Sequence, residues 1–337
     1  MKQKKKMTST GFLLLITIVL FFVMYAAGMV IFADKGFAKP QRFLNLFVSN
    51  GGLLVISCGL TIVMITGGID ISVGSVTALV CMVMADLMEN KGVSAYVAVL
   101  AALLIGLAFG IVQGFLVTYM GIQPFIVTLA GMFFARGMTS IVHTDPFNVQ
   151  NEAFVKLKDT RVIVPGMGSV NRIGKYVNAY VEIGVIVAIL IVVIMFVMLR
   201  WTKLGRSFYA VGGNRQSALM LGINVKKTRF LAHLLSGLLA GIAGYVYFLH
   251  VGSGAATHAS GMEMNAIASS IIGGTLLTGG VGNIIGTFFG VLSLSTIQNI
   301  VSSAGLDQAW WTGITIAAML CLFLVIQSVV LARKKRK

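Results

Sequence analysis

Charge is scarce in this sequence. Asp, Glu, Lys and Arg together make up 11% of the 337 residues, and only 10 of these are acidic. Soluble domains carry about 25% charged residues, so this chain cannot cover itself with a hydrated surface. No segment is polar enough to form a separate soluble domain, and 1–337 reads as a single membrane domain. Cysteine is also sparse. Cys58, Cys81 and Cys321 lie in apolar segments without metal-ligand spacing or a disulfide framework, and read as small apolar residues. The four histidines, His143, His233, His250 and His258, are scattered and imply no metal site. No GxxxxGK[ST] phosphate loop occurs, so ATP is not hydrolysed here by that route. No nucleophile, base and acid are arranged together, so neither an enzyme activity nor a cofactor is expected.

What is present is hydrophobicity in long runs. Apolar residues make up 57% of the chain, and mean hydropathy is +0.93. Ten segments read as candidate spans: 11–33, 45–66, 72–88, 95–119, 122–142, 180–200, 228–251, 264–280, 284–301 and 312–332. The third and eighth are short and broken by glycine and polar residues, so the count lies between eight and ten. The expected fold is all-α, a polytopic transmembrane helical bundle. The first run follows a basic start but is longer than a signal-peptide core, and reads as a transmembrane helix.

The net charge of +16 does not point to nucleic acid, because the basic residues sit in short runs between apolar segments. With ten alternating spans and the N-terminus inside, one side collects Lys2, Lys4, Lys5 and Lys6. The same side collects Arg200, Lys203, Arg206, Arg215, Lys226, Lys227 and Arg229, then Arg333, Lys334, Lys335, Arg336 and Lys337, with no acidic residue among them. The opposite side mixes acids with bases. This bias places both termini in the cytoplasm, 143–180 outside as a polar loop, and 201–227 inside as a purely basic one.

Four segments are candidates for mechanism. In Thr66-Gly67-Gly68-Ile69-Asp70-Ile71-Ser72-Val73-Gly74-Ser75, an aspartate interrupts apolar runs beside paired glycines. Two readings stand: a broken helix beside a polar path, or Asp70 capping the next helix by accepting backbone N–H bonds. In the inside loop, Gly205, Gly212, Gly213 and Gly222 bracket a short helix that Asn214 can cap, suited to docking in a partner's groove through Ala218, Leu219 and Leu221. In Gln123–Gly137, Pro124 fits a first helical turn, Phe125 and Thr128 follow it, and Arg136 reads as an interfacial anchor. From Asn265 to Asn283, small residues and hydroxyls suit close helix packing. Trp310 and Trp311 suit an interface belt. The glycine pairs of GGIDISVGS at 67–75 and GGTLLTGGVG at 273–282 echo one another, compatible with a five-plus-five inverted repeat.

These strings, with FIVTLAGMFFARG at 125–137, AVGGNRQSALMLGI at 210–223 and AIASSIIGGTLLTGGVGNIIGT at 266–287, carry a resemblance over nearly the whole chain. The chain resembles the permease subunits of sugar ABC importers of the ribose, galactose and xylose type, and most of all the galactofuranose permease subgroup. The resemblance implies an ABC importer permease fold in the inner membrane and a pathway at the axis of a pair of permeases, either two copies or a copy with a paralogue. It also implies a cytoplasmic ABC ATPase docked on the inside loop and an extracytoplasmic sugar-binding protein on the outer face. Carried over, Gly205, Gly212, Gly213, Asn214, Ala218, Leu219 and Gly222 are the coupling candidates. Gly67, Gly68, Asp70, Ser72, Gly74, Phe125, Thr128 and Asn265 are the pathway candidates. An ion-coupled secondary transporter is the alternative. It needs ionisable residues inside the bundle, and Asp70, Asp86, Arg136 and Glu182 come nearest. A membrane-embedded enzyme would need clustered catalytic side chains, and none is seen.

Overall fold

The computed structural model describes residues 9–170, 174–306 and 308–335. Lys2, Lys4, Lys5, Lys6, Arg336 and Lys337 of the charge argument lie outside the described residues, as do the side chains of Arg333, Lys334 and Lys335. The first half contains α1 (Ser9–Ile31), α2 (Pro40–Val48), α3 (Gly51–Ile65), α4 (Val73–Glu89), α5 (Ala95–Thr118) and α6 (Pro124–Val142). A mixed segment follows, with β1 (Phe147–Asn148), α7 (Glu152–Asp159), β2 (Arg161–Val170) and β3 (Tyr176–Glu182). The second half contains α8 (Ile183–Trp201), α9 (Lys203–Gly213), α10 (Arg215–Met220), α11 (Val225–Val251), β4 (Ser253–Gly254), α12 (Met262–Ile272), α13 (Ile284–Ser303) and α14 (Ala309–Lys335).

Each expected span contains a helix, but not always one long enough to cross a bilayer. Among the described residues six helices are long and apolar enough: α1, α5, α6, α8, α11 and α13. A seventh span arises if α2 and α3, bent by 51° at their junction, are taken as one. The expected span 264–280 is corrected here. Its helix α12 ends at Ile272, because the chain turns through Gly274, Gly279 and Gly280, all at positive φ. Helix α4 is likewise short, at 17 residues.

The all-α expectation is corrected in 143–180, which is built structure and not a loop. β2 and β3 pair as an antiparallel hairpin, from Arg161 opposite Glu182 to Val170 opposite Tyr176. Val162, Ile163, Val177 and Val181 are strong strand formers, masked in the sequence by Pro165, Gly166 and Gly168. The segment is tied down at several points, among them the pairing of β1 with β4 and the bonds between Gln41 and the Tyr180 backbone. The Glu89 carboxylate accepts the backbone N–H groups of Gln150 (2.7 Å) and Asn151 (3.1 Å). The Phe154 ring stacks on Phe248 at 4.3 Å.

Helix α3 is the hub. All 15 of its residues are buried, as expected of a helix that is apolar on every side. Of its two hydroxyls, that of Thr61 meets Ser270 at 3.0 Å and Thr287 at 2.7 Å, linking α3, α12 and α13, while that of Ser57 has no hydrogen-bond partner among the described residues. Thr17 of α1 donates to the carbonyl of Ile272 (2.7 Å), satisfying an acceptor left over where α12 stops early. Helices α5 and α11 pack along facing stripes of small residues. Gly106 and Gly110 lie against Gly237 and Gly241 with backbone directly on backbone, the small-xxx-small contact of membrane helices.

Candidate functional site

Two features meet in the bundle interior and at one of its ends, and a third lies at the opposite end. The first is a break between α3 and α4. After Thr66 the chain turns at Gly67 (φ +77°) and runs without helical structure to Ser72. Asp70 in this stretch is 1% exposed. Its Oδ1 accepts the Ser72 backbone N–H (3.1 Å) and hydroxyl (2.6 Å), and its Oδ2 accepts the hydroxyl of Ser236, midway along α11 (2.8 Å). Ser72 also accepts from Gln113 Nε2 of α5 at 2.9 Å. Thr128 of α6 donates to the carbonyl of Ile69 (3.4 Å). The residue at the helix N-cap is Ser72, not Asp70. The carboxylate holds the cap residue and staples the break to α11. The break is thus braced from α5, α6 and α11, through Gln113, Thr128 and Ser236.

Gly74, in the first turn of α4, packs on Glu263, in the first turn of α12. The carboxylate and backbone N of Glu263 occupy the space a Cβ on Gly74 would need. Two short helices thus meet by their first turns inside the bundle. Glu263 is 8% exposed, and its Oε2 has no hydrogen-bond partner among the described residues. Sequence reasoning missed this carboxylate because Glu263 stands next to the loop 252–261 in the chain, and only packing carries it into the bundle.

The second feature is a junction of glycines. Gly280 donates its backbone N–H to the carbonyl of Ile65 (2.8 Å). A Cβ at Gly212 would strike that same carbonyl, and one at Gly279 would come within 2.9 Å of the Gly67 nitrogen. The end of α3, the end of α9 and the loop after α12 therefore touch through bare backbone. Tyr209 of α9 adds a bond from its hydroxyl to the Gly282 carbonyl (2.9 Å). The two glycine strings that echo one another in the sequence meet here, with Gly212 and Gly213 of α9 between them. Gly205 packs against the last carbonyls of α8, while Gly213 and Gly222 face open space.

Beyond the junction, α10 forms a short outward knuckle. The Asn214 side chain accepts the Ser217 N–H (2.9 Å), as its sequence position implied. Gly222 ends the knuckle at φ +77°. Leu219, Met220 and Leu221 are 63%, 85% and 79% exposed, whereas Ala218 is 1% exposed. The expected face of Ala218, Leu219 and Leu221 is corrected accordingly. Ala218 turns toward its own chain, and Met220, which the sequence did not single out, completes the apolar tip.

The third feature is a cavity of about 290 Å³ at the other end of the bundle, lined by Ser49, Asn50, Tyr247, Thr257, Ser260, Asn265 and Gln298. Its polar groups are uncharged amides and hydroxyls. Asn50 is held by the Leu46 carbonyl (2.9 Å) and Ser295 (2.8 Å). The loop forming one wall includes Ala259 at φ 51°, a strained conformation for a residue with a Cβ. Arg136 clamps that loop by donating to the carbonyls of Ala256 (3.0 Å) and His258 (2.7 Å). Arg136 is thus a brace for the loop, not an interfacial anchor. Of the other pathway candidates, Thr128 is buried beside the break and Phe125 is 49% exposed on the outer surface of α6. The structure gathers Gly67, Gly68, Asp70, Ser72, Gly74 and Thr128 around the break, and sets Asn265 apart in the cavity. Among the described residues no group of His, Cys, Asp or Glu could hold a metal.

Comparison with known proteins adds a family to this geometry. A family model described as branched-chain amino acid transport system / permease component matches residues 42–324. The fructose import permease protein FruG of Bifidobacterium longum is 36% identical over 94% of this chain and 91% of its own length. The inner membrane ABC transporter permease protein YjfF of Escherichia coli is 36% identical over 93% and 91%. The ribose import permease protein RbsC of Escherichia coli is 36% identical over 82% of each. No solved structure matches. Such permeases are membrane subunits and not themselves enzymes, in keeping with the missing phosphate loop. The chain belongs to the branched-chain amino acid transport system permease family, in its group of sugar ABC importer permeases.

Proposed function

We propose that this chain forms one half of the pathway that brings a monosaccharide into the cytoplasm, driven by a separate ABC ATPase. The galactofuranose, galactose and ribose class is the substrate favoured by the sequence motifs, with a sugar-binding protein delivering it outside. The pair is completed by a second permease, a copy or a paralogue. In this reading ten segments, five in each half, alternate with both termini cytoplasmic, and the short helices α4 and α12 occupy corresponding places in the two halves.

The observation that carries the reading is the link from the exposed knuckle to the broken helix. Leu219, Met220 and Leu221 offer an apolar tip to a groove. The helix behind that tip, α9, touches the ends of α3 and the α12–α13 loop through backbone atoms. Contacts this close transmit displacement as a rigid body, because packed elements shift as units. A closing ATPase would thus move the break around Asp70 and the short helices on either side of it. The uncharged cavity around Asn265 suits hydroxyl-rich solutes, which need donors and acceptors but no ion pair.

The test replaces Leu219, Met220 and Leu221 together by aspartate in the full chain. Co-purification with the ATPase and ATP-dependent uptake are expected to be lost, with membrane insertion kept. Uptake that persists without ATP and collapses when the proton gradient is dissipated would instead support ion coupling.

A further inference from the structure

A second cavity, of about 750 Å³, opens beside the junction where α8, α9 and the start of α13 meet. It is lined by Phe196, Leu199, Arg200, Trp201, Arg206 and Tyr209 on one side, and by the N-terminal turn of α13 on the other. Its size fits a headgroup with its glycerol, in the range of pockets that hold drug-sized ligands, and is far larger than a lone anion needs.

Its chemistry is one-sided. Arg200 and Arg206 are both exposed at its rim, and among the described residues no acidic one lines it. Among the described residues the ion pairs lie elsewhere, at Lys91–Asp86 and His250–Glu182. Arg206 donates to the carbonyl of Trp201 (3.3 Å), which sets its guanidinium at the end of α8. The Tyr209 hydroxyl, bound to the Gly282 carbonyl, fixes the floor. Asn283 caps α13 through the Ile285 N–H (2.9 Å), and the positive end of that 20-residue helix faces the cavity.

Its surroundings are apolar on the membrane side. Ile186, Leu190, Val193 and Val197 lie exposed on one face of α8, at spacings of three and four residues, leading down to Phe196 and Arg200. Trp201 is 63% exposed at the end of the span, where an interfacial ring sits at headgroup depth. An acyl chain along α8 would place a phosphate between the two arginines.

We infer that this cavity is a binding site for the phosphodiester headgroup of an anionic phospholipid, with Arg200 and Arg206 as the phosphate ligands and the exposed face of α8 as the acyl track. The inference requires membrane insertion only and is independent of the transported solute.

The chain has 3 tryptophans, so Trp310→Phe with Trp311→Phe leaves Trp201 as the sole fluorescent reporter. This variant is reconstituted in phosphatidylcholine vesicles doped with phosphatidylglycerol or phosphatidylcholine brominated on the acyl chains. Quenching is expected to half-saturate at a roughly tenfold to thirtyfold lower mole fraction of the brominated phosphatidylglycerol, as two arginines at a membrane surface provide. Arg200→Gln with Arg206→Gln should abolish that preference, while Lys226→Gln with Lys227→Gln, on the same face of the protein, should keep it. An unchanged Trp201 emission maximum in phosphatidylcholine alone establishes that each variant is folded at this place. Equal quenching by both lipids, an equal loss in the lysine variant, or relief of quenching by inorganic phosphate would overturn the inference. The last outcome would assign the cavity to a soluble phosphate.

Discussion

Asp70 offers the sharpest test, because its two readings in the sequence predict different things of one substitution. In the folded chain its carboxylate accepts the Ser72 N–H, the Ser72 hydroxyl and the Ser236 hydroxyl at 3.1, 2.6 and 2.8 Å. Hydrogen bonds to a charged group contribute about 1.5–3 kcal/mol each. Asp70→Ala does not lose all of that. The Ser72 hydroxyl keeps Gln113 as a partner, and a serine on a helix can turn its hydroxyl to a carbonyl one turn back. Removing the carboxylate also removes the cost of burying its charge. What remains is the Ser72 N–H left bare, the lost staple to α11 and a small cavity, together about 3 kcal/mol. Asp70→Asn keeps an acceptor for Ser72 and turns an amide toward Ser236, so its cost is about 1 kcal/mol. The assay is equilibrium unfolding of the purified chain in mixed micelles, run beside uptake in proteoliposomes with the ATPase and binding protein. Ser236→Ala completes a double-mutant cycle, with an expected coupling to Asp70 of about 1.5–3 kcal/mol. A stable Asp70→Ala chain that inserts normally yet carries no sugar would refute the bracing role and place Asp70 in the path.

Gly212→Val should destabilise the chain by about 1–3 kcal/mol and uncouple ATP hydrolysis from uptake, since its side chain strikes the Ile65 carbonyl; Gly213→Ala, which meets nothing within 4 Å, should change stability by no more than about 0.5 kcal/mol. Gly222→Asp forces a side chain into φ +77° beside the exposed leucines and should abolish ATPase association in a pull-down, whereas Arg215→Gln should retain most of it. In a Cys321→Ser background, where Cys58 and Cys81 are already buried, a membrane-impermeant maleimide added outside cells should label Lys156→Cys and not Arg215→Cys; the reverse pattern would invert the proposed topology.

Local features were legible in the sequence wherever neighbours along the chain decide them. The scarcity of charge and the length of the apolar runs set the membrane class, because a bilayer demands about 20 apolar residues per crossing. Asn214 and Gly222 bounded α10 correctly, since a cap bonds only to its own first turn and a left-handed residue needs only the absence of a Cβ. The break at Gly67 was equally visible. Packing between distant segments decided the rest. Ala218 faces inward and Met220 outward because α10 lies on its own chain with one particular side down. Glu263 is buried because the first turn of α12 is carried against Gly74, and Arg136 became a clamp because α6 stands beside the loop at 256–258. The meeting of Gly67, Gly212 and Gly279 joins residues from three parts of the chain. Glycines mark where backbones are able to touch, and only the tertiary structure chooses which backbones do.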